Sequence, residues 1–148
     1  MPVSQPPTSV HAVAARVTAE TAIVREINRV RRAHGLRAVR LTRPLTRVAR
    51  QHSTQMLLHN VLSHSSFSSA TFTARLARAG KRRQYGETLA WAPSGSGASG
   101  KMVVNLWMHS APHRAVLMNG ALRRVGIGRI YGAMGAQRGF GITADFSS

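Results

Sequence analysis

The sequence predicts an α+β domain, with helices in its first two thirds and antiparallel strands at its end. Apolar residues step by three and four through residues 18–35 and 42–60, the period of one helix face. They alternate with period two through "RRVGIGRIYG" and "RGFGITADF", the period of a strand. Helical segments come first and strands later, which separates α+β from a parallel sheet built of alternating units.

Each element follows from local signals. Residues 1–17, opening with the Pro/Ser-rich "MPVSQPPTSV", read as a flexible N-terminal arm, and residues 18–148 as one domain. Thr18 with Thr21 can cap the first helix; Ala22, Ile23, Ile27, Val30 and Ala33 form its apolar stripe, and Gly35 ends it. The second helix runs from Thr42 to about Asn60, with Leu45, Val48, Ala49, Met56 and Leu57 in step. A Ser-rich loop leads to a short helix over 73–79 that Gly80 stops. "QYGETLAWAP" is a strand ended by Pro93, "PSGSGASG" a loop, and 101–109 a third long helix. Pro112 disfavours helical geometry at Ala111, so that helix ends near Ser110. Ser110 can then cap a new helix with Pro112 and His113 in its first turn. The tail forms a hairpin, and the expected strands are 85–90, 125–130 and 139–146. In the last of them Phe140, Ile142, Ala144 and Phe146 share one face, with Gly139, Gly141, Thr143 and Asp145 on the other.

Composition excludes several function classes. At 148 residues the chain can bury one core, and its hydrophobic content of 43% suits a folded domain. The absence of cysteine removes disulfides, thiolate metal sites and cysteine nucleophiles. No apolar run approaches the ~18 residues of a membrane-spanning helix. The N-terminus lacks the pattern of a signal peptide, so the protein is either cytoplasmic or a leader has been removed. A monomer is expected. Against four acids stand 21 basic residues, giving a net charge of +17, which favours polyanionic partners. A solvated surface is the simpler reading of these arginines. Aromatic residues are 5% of the chain and none lies among the arginines of 25–50, so no base-stacking platform or specific nucleic-acid partner is expected.

Two glycine motifs carry no chemistry. "GSGASGK" matches most of a phosphate loop, but Met102 stands where a magnesium-binding Ser or Thr is needed. "GIG" at 126–128 lies inside a strand pattern, where glycines permit close packing.

More informative is "NLWMHSAPHRAVL", with histidines at 109 and 113. The proline breaks the helix between them, so the pair is not the two-ligand face of a zinc helix. His109 falls at a helix end, on the surface and biased toward the charged form. His113 falls at a helix start, which opposes imidazolium and keeps a lone pair available. Glu87 in "YGETLAWA" shares a strand face with Tyr85, Leu89 and Trp91. A carboxylate there needs a partner, and an arginine, a histidine or a metal would each serve.

Read in order, "INRVRRAHGLRAVRLTRPLTRVARQHSTQML", "LSHSSF" with "ARLARAG", "YGETLA", "LWMHSAPHRAVLM", "RVGIGRI" and "GFGITADF" resemble the CAP superfamily. These are the SCP-like domains related to cysteine-rich secretory proteins and plant PR-1, here in their short bacterial form. The resemblance spans Thr21 to Phe146 and implies a three-layer α-β-α sandwich with a central antiparallel sheet. It further implies a cleft in which His64 and His113 bind a divalent metal, zinc, with Glu87 as the candidate catalytic residue. Thr88 stands where the family's "GEN" motif has Asn, and Ser110 where it has a second Glu. Ser110, Trp107 and Thr88 would line this cleft, and water would complete the metal's coordination.

Three functions follow from that resemblance. The first is a secreted or envelope-associated domain, more a binder than an enzyme, whose cleft holds a metal and a small lipid, a glycan or an anionic envelope polymer. The second is a metal-dependent hydrolase in which Glu87 acts as base toward a water held by His64 and His113. The third is a basic polyanion-binding module with a vestigial cleft. A serine triad is weaker, since Ser63, Ser65, Ser66 and Ser110 lie near the histidines without a nucleophile-elbow motif.

Overall fold

The computed structural model describes residues 10–67, 71–96 and 98–148, with side chains from residue 12 onward. Among these residues the elements are α1 (Val10–Ala33), β1 (Arg40–Leu41), α2 (Arg43–Leu58), α3 (Phe72–Ala77), β2 (Tyr85–Pro93), α4 (Gly100–Met108), α5 (Ala111–Leu117), β3 (Arg124–Met134) and β4 (Gln137–Ser147).

The first helix starts at Val10, eight residues before Thr18. "VHAVAARV" contains neither Gly nor Pro, so nothing halts a helix propagating upstream. Thr18 is therefore interior, and its hydroxyl donates back to the Ala14 carbonyl at 2.9 Å instead of capping. The described part of the expected arm, residues 10–17, is thus helical; residues 1–9 lie outside the described residues. The other helix starts have hydroxyl residues at the cap position. Thr42 accepts from the Leu45 amide, Thr71 from Ala74 and Ser99 from Met102. Ser110 is the N-cap of α5, although its side chain makes no capping hydrogen bond.

The strands order β1-β3-β4-β2. β4 is central, antiparallel to both β3 and β2, while the two-residue β1 runs parallel to β3. The sheet is therefore mixed, not wholly antiparallel. A strand of two residues has no period to read, which is why β1 is invisible in the pattern.

Helices cover both faces. On one, Ile23 and Ile27 of α1, Val103, Val104 and Trp107 of α4 and Leu117 of α5 pack with Val125, Ile127, Ile142, Ala144 and Phe146. On the other, α2 lies almost on the backbone of β3. A Cβ on Gly126 would stand 2.1 Å from the Leu45 carbonyl carbon, and one on Gly128 would stand 2.4 Å from that of Ala49. Those glycines set the approach of α2, and with it the position of everything α2 points at the sheet. Gly100, part of the phosphate-loop look-alike, has a similar task. Its Cβ would meet the Ala22 carbonyl oxygen at 2.6 Å, so it lets α4 approach α1.

Candidate functional site

Polar residues interrupt the apolar face of α2 at His52 and Ser53, and both are buried against the sheet. The Ser53 hydroxyl lies 2.8 Å from both the Gly128 carbonyl and the Thr143 hydroxyl. His52 Nε2 donates to the Ser63 carbonyl at 2.6 Å, fixing the start of the loop that carries His64. Burial holds the His52 ring below the usual histidine range, against the opposing pull of Glu87.

Glu87 is the hub beneath that loop. Alternation on β2 turns it toward α2 and α3, where its side chain is 1% exposed. Its Oε1 meets His64 Nδ1 at 2.9 Å, and its Oε2 accepts from Arg75 Nη2 at 2.6 Å. The register of the sheet places Asp145 of β4 directly beside it, and Arg75 Nη1 reaches Asp145 Oδ2 at 3.3 Å. Arg75 also donates to the His64 carbonyl at 3.1 Å, so one guanidinium ties the loop to both carboxyls.

Two buried carboxyls face one buried cation, and their proton affinities separate. Burial, a hydrogen bond with Glu87 and that neighbour's charge push Asp145 well above the usual carboxylate range. Burial would raise Glu87 too. Its hydrogen bonds with Asp145 and His64 and the charges of Arg75 and His52 outweigh this and hold it low. Of the two carboxyls, Asp145 is thus the one that holds a proton more readily and Glu87 the one that favours its charge.

Of the predicted site residues, His64 and Glu87 are in direct contact. The His64 side chain is 57% exposed, so its Nδ1 is anchored inward while the ring faces solvent. His113 sits at the start of α5 as expected and is held below the usual histidine range. Burial is the first cause and the charge of His64 the second. The expected direction therefore holds for His113, with burial as its leading cause. Ser110 is half-buried beside it. Trp107 and Thr88 are fully buried, so neither forms a wall of an open cleft. Trp107 is a core residue whose Nε1 donates to the Leu89 carbonyl at 2.9 Å, and Thr88 sits on the opposite side of β2 from Glu87. His109 is exposed, its Nδ1 2.7 Å from the Asn105 carbonyl.

The donor chemistry can be tested against a divalent cation. A histidine bound at one nitrogen to a carboxylate and open at the other is the usual state of a metal ligand, and His64 has that form. His113, held below the usual histidine range, would supply a second nitrogen. Glu87 does not fit as a third ligand, since His64 and Arg75 occupy both its oxygens. Among the described residues no group of three or more His, Asp or Glu side chains is arranged to hold a metal. The residues that would hold a cation are therefore His64 and His113, and Glu87 stands behind His64 as the carboxylate that orients its ring.

His52, Arg75 and Asp145 belong to this network without having been singled out as site residues. The signal for His52 is a polar residue in register with an apolar helix stripe. Asp145 is one of four acids and sits on a buried strand, but pairing with Glu87 depends on strand register. Arg75 cannot be told from eighteen other arginines by type.

Comparison with known proteins places this geometry. The profile of the cysteine-rich secretory protein family, CAP, matches residues 24–144. No curated protein sequence is similar enough to match. An extracellular protein containing an SCP domain from Bacillus anthracis shares the fold with a TM-score of 0.78 at 25% identity, covering 97% of this chain and 45% of that one. This chain thus spans less than half of that protein. An outer surface protein from Borrelia burgdorferi gives 0.68 at 20% identity, covering 86% and 90% of the two chains. A cysteine-rich secretory protein from Staphylococcus aureus gives 0.65 at 14%, covering 97% of this chain and 41% of its own.

Proposed function

The chain belongs to the CAP, or cysteine-rich secretory protein, family, and from that premise we propose that it is an extracellular or envelope-associated binding domain whose cleft takes a divalent cation, zinc, at His64 and His113. The observation that carries this reading is the anchored His64 ring: Nδ1 on a buried, ionised Glu87 at 2.9 Å, with over half of the side chain open to solvent. A buried carboxylate that orients an exposed imidazole spares it the entropy of ordering when it meets a ligand. The extracellular setting draws on the Bacillus anthracis and Borrelia burgdorferi proteins, described as extracellular and outer-surface. Among the described residues no helix is long and apolar enough to cross a membrane.

A bound cation would supply Lewis acidity and open positions for an oxygen-bearing ligand. The chain's own contribution is orientation. Glu87 fixes the tautomer of His64, Arg75 holds Glu87 ionised, and burial keeps His113 neutral. Both Glu87 oxygens are engaged, which leaves no free base for a water molecule and favours binding over hydrolysis. Calorimetric titration with zinc at neutral pH tests the reading. Saturable binding lost in both His64→Ala and His113→Ala is expected; binding retained in either variant overturns it.

A further inference from the structure

All four acids of the chain are paired. Glu20 pairs with Arg50, Glu26 with Arg29, and Glu87 and Asp145 share Arg75. No side-chain carboxylate remains for the other arginines, and one group of these is crowded together. Register places Arg40 of β1 beside Arg124 of β3, and Arg123 precedes Arg124. With Ala38 these three arginines line a surface pocket of about 400 Å³. Partial desolvation and then the charges of Arg82, Arg40 and Arg123 hold Arg124 below the usual arginine range. Beneath them lies Arg31, fully buried and without an acid, its guanidinium donating to the carbonyls of Arg37, Leu117, Asn119 and Leu122. Arg124 Nη1 donates to the Ser148 backbone oxygen at 2.6 Å, while Arg40 and Arg123 stay exposed.

We propose that the pocket of Arg40, Arg123 and Arg124 binds a phosphate-type tetrahedral oxyanion. Like charges brought together with no side-chain carboxylate among them oppose folding, and an anion bridging Arg40 and Arg123, the two that stay exposed, removes that repulsion. Guanidinium is the group suited to the task, because its planar fork meets two oxygens of a phosphate at once. The pocket is built on a sheet edge, so the guanidiniums start from fixed backbone positions. It is formed by different residues from the histidine cleft and does not depend on that reading. The phosphate can arrive as the free ion or on a lipid headgroup.

The probe is inorganic phosphate, titrated into the whole chain at constant ionic strength. Saturable binding is expected, weakened at least about tenfold in the Arg40→Gln/Arg123→Gln double variant by loss of charge-assisted hydrogen bonds. The same charge change at the exposed Arg43 and Arg47, as Arg43→Gln/Arg47→Gln, should alter affinity less than about twofold. In phosphate-free chloride buffer the first double variant should melt no lower than the parent, since it relieves repulsion. Phosphatidylcholine vesicles doped with phosphatidylglycerol separate the sources. Retention that disappears in the pocket variant assigns the phosphate to a headgroup; binding of inorganic phosphate alone assigns it to the soluble ion. Absence of saturable phosphate binding, or equal weakening in the two double variants, overturns the site.

Discussion

Replacing Glu87 and Asp145 by their amides, singly and together, interrogates the centre of the structure. Arg75 and Glu87 form an ion pair 2.6 Å long between side chains only 7% and 1% exposed. Stranding a buried charge by removing its partner costs about 3–5 kcal/mol. Here a second carboxyl stands ready, with Asp145 3.3 Å from the same guanidinium and its proton affinity raised by burial and the charge of Glu87. Glu87→Gln should therefore cost only about 1.5–3 kcal/mol, the loss of one charge-assisted hydrogen bond, because Asp145 ionises and takes over the pairing. Asp145→Asn removes the carboxyl whose ionisation burial opposes and should cost less than about 1 kcal/mol at pH 7. The double variant leaves Arg75 with no anion and should reach about 3–5 kcal/mol, more than the two single effects added. Denaturant unfolding at pH 7 measures all three, provided the slope with denaturant is unchanged. Additive effects would refute the shared-proton arrangement. So would an Asp145→Asn cost as large as that of Glu87→Gln, which would place the charge on Asp145.

Other predictions test separate links. Gly128→Ala drives a Cβ to 2.4 Å from the α2 backbone and should cost about 3 kcal/mol or more in thermal or chemical unfolding; a cost below about 1 kcal/mol would mean that α2 can withdraw freely. The His52 ring titrates low because it is buried, so the folded state disfavours its charged form. Its contribution to stability is complete above the unfolded value of ~6.5 and is lost as pH falls below it. His52→Gln should flatten stability between about pH 6.5 and 5, and an unchanged slope would contradict that. His109→Ala should leave zinc affinity unchanged, since its ring turns back to Asn105; lost affinity would put His109 in the site. Zinc binding itself should weaken as pH drops through ~6.5, where free imidazole protonates.

The elements most legible in the sequence were those whose ends carry local chemistry. Thr42 and the Ser110–Pro112 pair announce helix starts, and period two exposes the hairpin. Where local chemistry was silent, the structure departed from expectation. Nothing in "VHAVAARV" forbids a helix, so α1 extends back to Val10, and β1 exists because β3 offers an edge to a two-residue segment. The site divides along the same line. Resemblance and position name His64, Glu87 and His113, and the structure joins the first two. Their electrostatic support was not, because Asp145 joins Glu87 only through β2–β4 register and Arg75 only through the packing of α3. Trp107 and Thr88 were assigned to the cleft as motif neighbours, yet a strand alternates its faces, and Thr88 must turn away when Glu87 turns in.

Imidazole nitrogen NMR on histidine-labelled protein, before and after zinc at neutral pH, reaches the functional centre most directly. The account predicts His64 as the Nδ1–H tautomer, donating to Glu87. Zinc should then shift the Nε2 resonance of His64 and a ring nitrogen of His113, while His34 and His109 stay where they were. A His64 ring protonated at Nε2, or a zinc titration that leaves His64 and His113 unmoved, would contradict it.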